Sequence, residues 1–155
     1  MSDATAGNGQ QVSHALTLVM ELASDEAAAQ LKAYLDKMDA RPVEENDLRK
    51  ALDNIGTVHF ARFVFLGDGR FAVITTYDGS FEDYLDKFAN NIGEIFDNIL
   101  SCMKEPPARP VKQNVQEFIR YVRERDLTLD KPFYSAYPDL KVQDILALRT
   151  QAGRG

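Results

Sequence analysis

The chain has 155 residues, a net charge of −6, one cysteine and a hydrophobic content of 45%. This length and composition suit a single domain with a packed core. The acidic balance disfavours nucleic-acid binding, because phosphate neutralisation needs grouped Lys and Arg, and a single cysteine excludes an internal disulfide. The sequence has neither a membrane-spanning apolar run nor a signal-peptide pattern. We therefore expect a cytoplasmic protein that binds neither nucleic acid nor membrane.

Composition divides the chain into one domain and two short tails. Residues 1–11 consist mainly of small and polar residues, which predicts a disordered N-terminal tail. Residues 12–150 show continuous periodic patterning with no repeat and no linker, so they predict a single domain. Residues 151–155 are expected to form a C-terminal tail.

Hydrophobic periodicity and turn residues predict an α+β fold. The first strand alternates in hydrophobicity, Ser24 and Ser80 can cap helices, and Gly67-Asp68-Gly69 marks a hairpin turn between two β-rich runs. The predicted elements, in chain order, are a strand from Val12 to Leu22, a helix over Asp25–Asp39, a short helix between Asp47, its expected cap, and Ile55, a strand pair within Thr57–Asp78, a long helix from Phe81 to Ile99, a helix over Val111–Arg125, an edge strand within Pro132–Pro138 and a helix over Val142–Leu148. This order is the β-α-β-β-α-β plan of the ferredoxin-like fold, an antiparallel sheet with helices on one face, here with extra C-terminal helices.

The central hairpin is apolar on both faces, although helices can cover only one of them. On the first hairpin strand Val58, Phe60, Val64 and Leu66 alternate with Ala61, Phe63 and Phe65. The area of such an open apolar face exceeds the apolar area that a monomeric protein usually exposes to water. A second copy related by a two-fold axis would cover it and form a dimeric α+β barrel, so a homodimer is predicted. The alternative cover is the segment Val111–Leu148 of the same chain.

Polar residues of the hairpin are the first candidates for chemistry. His59 and Arg62 lie three positions apart, so strand alternation directs their side chains to opposite faces unless a bulge intervenes. Arg62 lies among apolar residues, which predicts either an anion anchor in a pocket or a structural ion pair. His59 is either a titrating hydrogen-bond group or a half-buried structural residue. Asp78 accepts hydrogen bonds from nearby helix N–H groups, pairs with Arg62 or His59, or serves the turn into the next helix.

A pocket beside the sheet is the predicted ligand site. Its ligand-binding residues are predicted to be His59, Phe60, Arg62, Tyr77, Asp78, Tyr84 and Tyr134. No catalytic residue is assigned. The chain has two histidines and one cysteine, which excludes a three-histidine metal site, so no metal is predicted. Cys102 has no histidine close to it in sequence and is expected to be a small buried residue.

The run T-V-H-F-A-R-F-V-F-L…D-G-R…T-T-Y-D-G-S-F-E-D-Y-L-D-K-F within Thr57–Phe88, with the later F-Y-S-A-Y-P of Phe133–Pro138, resembles an uncharacterised bacterial family. We associate that family with the ferredoxin-like, dimeric α+β barrel superfamily. The superfamily includes antibiotic-biosynthesis monooxygenases, muconolactone isomerases, chlorite dismutases and dye-decolorising peroxidases. The resemblance implies a homodimer with an apolar or aromatic small-molecule ligand.

The haem-binding branch of that superfamily is disfavoured by the residues present. Its peroxidases use a proximal histidine on a C-terminal helix, and this chain has no histidine after His59. No cofactor is therefore predicted. The predicted function is a small-molecule-binding domain or a cofactor-independent oxidoreductase-like enzyme with an apolar pocket beside the sheet. The alternatives are a non-catalytic homodimeric accessory module and a haem-associated protein.

Overall fold

The computed structural model describes residues 11–128 and 133–153, which form an α+β fold around a three-stranded antiparallel sheet. The elements are β1 (Ser13–Glu21), α1 (Asp25–Asp39), a 3-10 turn (Val43–Glu45), α2 (Asp47–Ile55), β2 (Val58–Gly67), β3 (Arg70–Asp78), α3 (Phe81–Leu100), a second 3-10 turn (Val111–Gln113), α4 (Val115–Arg125) and α5 (Val142–Gln151). The strand order is β1-β3-β2, so β3 is central and β2 lies at an edge. The predicted N-terminal tail lies outside the described residues except for Gln11, whereas residues 151–153 of the predicted C-terminal tail are described and Gln151 still belongs to α5.

Local capping interactions explain why the helices begin and end where the sequence predicts. The hydroxyl groups of Ser24 and Ser80 each accept a hydrogen bond from the backbone N–H three residues later, at 3.0 and 3.1 Å. Asn46, rather than the expected Asp47, caps α2 in the same way. Gly56 ends α2 with a φ of 75°, a left-handed conformation that glycine adopts without steric cost.

Helices α1 to α4 pack on one face of the sheet and enclose the core there, whereas α5 lies at the other face, so the prediction that the helices share one face is wrong for α5. Phe71 and Val73 of β3 and Leu18 of β1 point to the face that α1 to α4 cover and are at most 1% exposed. Aromatic side chains of α3 and α4 contact one another above it: Phe88, Phe96 and Phe118. Burial of this apolar surface is the main stabilising contribution to the fold.

Two predicted C-terminal elements differ from the structure. The prediction of an edge strand is wrong for its described part, because residues 133–135 have no regular secondary structure and residues 136–138 form a bend and the start of a turn. Proline at position 138 fixes its own φ and has no N–H for a ladder, and Tyr134 and Tyr137 remain exposed instead of entering a sheet. The helix predicted from Val111 begins as a 3-10 turn and becomes α-helical only at Val115, because Asn114 has a φ of −136°.

The segment after α4 occupies the free edge of β1. Leu127 donates its backbone N–H to the carbonyl of Thr17 at 2.8 Å, and Asp126 forms an isolated antiparallel bridge with Leu18. The Asp126 carboxylate also accepts from the backbone N–H of Thr17 at 3.1 Å. These bonds satisfy part of the β1 edge without forming a full strand.

On the second face of the sheet, here called the open face, the described residues cover only one end. Residues 133–146 lie over the end that carries Ser13 and Thr76. In the centre of the open face, Val19, Val64 and Ile74 are partly exposed. Among the described residues, no helix combines the length and the apolar character needed to cross a membrane.

Candidate functional site

A β-bulge at the start of β2 changes the direction of His59. Val58 is paired with Tyr77, but Phe60 is already paired with Thr76, so one extra residue lies on β2 between these pairs. A bulge of this kind moves a side chain from the face that strict alternation assigns to it. The expectation that His59 and Arg62 face opposite sides is therefore wrong, since His59 contacts Asp78 of the open face.

His59 and Asp78 form a buried pair at the covered end of the open face. His59 Nε2 lies 2.6 Å from Asp78 Oδ1, and their side chains are 12% and 5% exposed. Of the roles that the sequence allows for Asp78, the pair with His59 is confirmed. In the tautomer whose Nε2–H donates to this carboxylate, Nδ1 is a hydrogen-bond acceptor.

Asp78 also anchors the C-terminal helix. Its second carboxylate oxygen, Oδ2, accepts from the backbone N–H of Val142 at 2.8 Å, at the first turn of α5. Gln143 donates its side-chain amide to the carbonyl of Gly56 at 2.9 Å. A carboxylate at a helix N-terminus satisfies an otherwise unpaired N–H and interacts favourably with the helix dipole. Both oxygens of Asp78 are thus engaged, one by the histidine and one by the helix that lies over it.

A cleft of about 640 Å³ opens between this end of the sheet and α5. It is here called the open-face cleft. Two of its aromatic side chains are strongly exposed, Phe60 at 74% and Tyr134 at 87%. The remaining lining residues are Ser13, Asp53, Val58, His59, Thr76, Phe133, Ser135, Ala136, Tyr137, Val142, Ile145 and Leu146. The cleft therefore combines aromatic walls with a few polar groups, the usual character of a small-molecule site.

The structure separates the predicted ligand-binding residues into two groups. His59, Phe60 and Tyr134 line the open-face cleft, and Asp78 supports it from below. Tyr77 and Tyr84 lie on the opposite face, where their rings stack at 4.1 Å within the core. The Tyr84 hydroxyl donates to Thr75 Oγ1 at 3.1 Å, and burial raises its pKa above the ordinary value. These two tyrosines therefore belong to the packed core.

Arg62 lies two residues beyond Phe60 on the open face and is exposed. Within the described residues, no carboxylate is close enough to form an ion pair with it. Arg62 is also not part of the cleft lining. Neither of the two roles that the sequence leaves open for Arg62, anion anchor or ion-pair partner, is visible in the described part of the chain.

Sequence reasoning missed the residues that α2 and α5 contribute to the cleft. Asp53 of α2 has no special local motif, and no pattern in the sequence distinguishes it from other surface carboxylates. Val142, Ile145 and Leu146 follow the i, i+3, i+4 spacing of an apolar helix face, which was the one available signal. That spacing predicts that one face of the helix packs against another part of the protein, but it does not identify which surface.

The described residues offer no metal centre and no activated thiol. No group of three or more metal-binding side chains is found among them. Cys102 is buried as predicted, and its Sγ lies 3.8 Å from the Asn98 carbonyl, with no base bonded to it within the described part of the chain. Acid–base groups in the cleft are therefore the histidine and the carboxylates.

Tyr77 makes the stability of the fold sensitive to alkaline pH. Burial raises its pKa to about 12, above its ordinary value of 10.0, and the nearby carboxylates of Asp126 and Glu82 add to the effect. The unfolded chain loses this proton first, so the free energy of unfolding should fall as pH rises from about 10 to about 12. We expect Tyr77→Phe to reduce that fall, as measured by urea unfolding at pH 8, 10 and 11. An equally steep fall in the variant would contradict this assignment.

Comparison with known proteins finds no matching family model, no matching curated protein and no matching solved structure. The function is therefore argued from the geometry of the open-face cleft.

Proposed function

We propose that this chain is a small-molecule-binding domain whose ligand occupies the open-face cleft. The observation that carries the proposal is the His59–Asp78 pair, which lies beside two strongly exposed aromatic rings in a cleft of about 640 Å³. Ligand sites typically measure roughly 300–1,000 Å³ and combine apolar walls with a few placed polar groups.

Each side of the cleft contributes a different part of the recognition. Phe60 and Tyr134 provide flat surfaces on which an aromatic ligand can stack. His59 presents Nδ1 as an acceptor, and Asp78 restricts its ring orientation through the 2.6 Å bond. α5 closes one side with Val142, Ile145 and Leu146. The ligand that fits is an apolar or aromatic molecule with at least one hydrogen-bond donor.

Chemical-shift mapping of the ¹⁵N-labelled full chain with indole tests the site. We expect saturable shifts at the amides of Phe60, Thr76 and Ile145. The variant Phe60→Leu should weaken binding by about threefold to tenfold, because it removes one stacking surface. The matched control is Phe65→Leu, an exposed aromatic residue on the same strand that does not line the cleft. A second groove lies between α1 and β2 and is lined by Leu35, Leu48, Phe63 and Phe65, among others. Shifts centred on that groove instead would contradict the proposal.

A catalytic form of the same proposal is a cofactor-independent oxidoreductase-like enzyme. In that form His59 Nδ1 accepts a proton from the bound molecule, and the Asp78 carboxylate stabilises the resulting imidazolium. Dioxygen, as the co-substrate, then takes up the electrons of the substrate anion and is reduced. The predicted signature is a His59→Gln variant that still binds the cleft ligand but loses turnover. Loss of binding and turnover in parallel would instead assign His59 to recognition alone.

A homodimeric accessory module is the second candidate, and the partly exposed apolar centre of the open face favours it. Val19, Val64 and Ile74 lie there without a covering element in the described chain. The strand order β1-β3-β2, with Asp126 bridged to the outer edge of β1, also supports the ferredoxin-like plan and with it the dimeric barrel superfamily. Sedimentation should then show a dimer that Ile74→Lys dissociates. A monomer at all concentrations would exclude this candidate.

Haem association is the third candidate, and the carboxylate-bonded His59 is the observation in its favour. Metal-ligating histidines commonly donate their other ring N–H to a carboxylate, as His59 does to Asp78. Titration with haemin should then produce a Soret shift that His59→Gln abolishes. An unchanged spectrum in the wild-type chain would exclude it.

A further inference from the structure

The charges around the open-face cleft narrow the class of ligand, and this argument rests on the proposed function. Among the described residues that line the cleft, Asp53 carries a charge and none is Lys or Arg. Asp78 adds a second carboxylate beneath the lining, bonded to His59. Both charged groups in and directly beneath the described lining are therefore carboxylates, which favours positive charge there; the exposed Arg62 lies on the same face, two residues beyond Phe60, but outside the lining.

Aromatic faces in the same cleft favour the same sign of charge. Phe60, Tyr134 and Tyr137 are exposed large side chains, and all three line the cleft. The face of an aromatic ring carries a negative quadrupole that attracts ammonium groups, and clusters of such rings recognise organic cations. The rings also accommodate the apolar body of an amine.

The hydrogen-bonding groups of the cleft complete this pattern. In the tautomer whose Nε2–H donates to Asp78 at 2.6 Å, Nδ1 is an acceptor that can bond a donor on the ligand. The Asp53 carboxylate is also an acceptor. Its Oδ2 lies 4.0 Å from Arg49 Nε, but both side chains are more than half exposed, so water screens this pair and the carboxylate remains available.

We infer that the open-face cleft takes a cationic amine with an apolar or aromatic body. The ammonium group lies between Asp53 and the aromatic faces, with His59 Nδ1 accepting one of its N–H groups. The apolar body packs against Val142, Ile145 and Leu146 of α5. An anionic ligand would meet carboxylates without a compensating cation in the described lining.

Three probes of equal length and different charge test the inference on the ¹⁵N-labelled full chain at pH 7: 2-phenylethylamine, 2-phenylethanol and phenylacetate. We expect the amine to bind about fivefold to fiftyfold more tightly than the alcohol, and the carboxylate to bind most weakly. The advantage of the amine should shrink in high salt, because the Asp53 contribution is screened.

Asp53→Asn should reduce the affinity for the amine by about threefold or more and leave that for the alcohol unchanged. Asp36→Asn is the matched control, because Asp36 is an exposed helix carboxylate with an i,i+4 cationic partner that lies outside the cleft. If the alcohol or the carboxylate equals the amine, with shifts still centred on the cleft, the inference is overturned and the proposed function stands. If no probe shifts the amides of the cleft, both are overturned.

Discussion

Replacing Phe96 by alanine is expected to lower the free energy of unfolding by about 3–5 kcal/mol, the largest loss expected from a single substitution described for this chain. Phe96 is 1% exposed and its ring lies 5.1 Å from that of Phe88 and 5.6 Å from that of Phe118, measured between centroids. Alanine removes the apolar surface and leaves a cavity between α3 and α4, which rigid aromatic neighbours fill only in part.

This loss is a large fraction of the roughly 5–15 kcal/mol that stabilises a typical domain. Urea unfolding followed by circular dichroism measures it, and Phe96→Leu should show a smaller loss because it leaves a smaller cavity. Phe60→Ala is the control, since Phe60 is 74% exposed and should change stability by no more than about 0.5 kcal/mol. Equal losses of unfolding free energy in Phe96→Ala and Phe60→Ala would contradict the assignment of Phe96 to the core and Phe60 to the cleft.

Asp78→Ala is expected to cost about 2–4 kcal/mol and to detach α5 from the sheet. The substitution leaves His59 Nε2 and the backbone N–H of Val142 without their acceptors, and hydrogen bonds to a charged group contribute about 1.5–3 kcal/mol each. No described residue of α5 is fully buried, so few other contacts hold the helix in place.

Hydrogen exchange measured by mass spectrometry separates the local effect from the global one. Peptides within 142–151 should lose protection in Asp78→Ala, whereas peptides of α3 keep theirs. Asp78→Asn retains one acceptor oxygen and should give an intermediate result. Asp36→Ala removes an exposed carboxylate paired with Lys32 and should change neither measurement. Unchanged exchange of α5 in Asp78→Ala would show that Asp78 does not anchor the helix.

The same carboxylate links stability to function. If Asp78 anchors α5, its loss also removes the wall formed by Ile145 and Leu146 and frees the ring of His59. Ligand binding in the open-face cleft should therefore weaken in Asp78→Ala far more than in Asp36→Ala. Binding that survives when α5 has lost its protection would limit the site to the sheet and α2.

Amino-acid patterning alone determined the helices and the hairpin, because the interactions that define them are local. Ser24 and Ser80 bond backbone groups three residues away, Gly56 adopts its left-handed φ at the end of its own helix, and the Gly67–Gly69 turn joins adjacent strands. Phe71 and the other core residues of the strands can also be assigned to one face of the sheet, because side chains alternate between the two faces along a strand. These features need no knowledge of the rest of the chain.

Tertiary structure alone decided the composition of the cleft. The bulge at His59 depends on how β2 registers against β3, so alternation within β2 does not reveal it. The bond from Val142 to Asp78 joins residues 64 positions apart, and the packing of α5 on the sheet end depends on it. Tyr77 was excluded from the cleft for a similar reason, since the sheet lies between it and Phe60. Local patterns specify which residues form an element, whereas long-range contacts decide which elements meet.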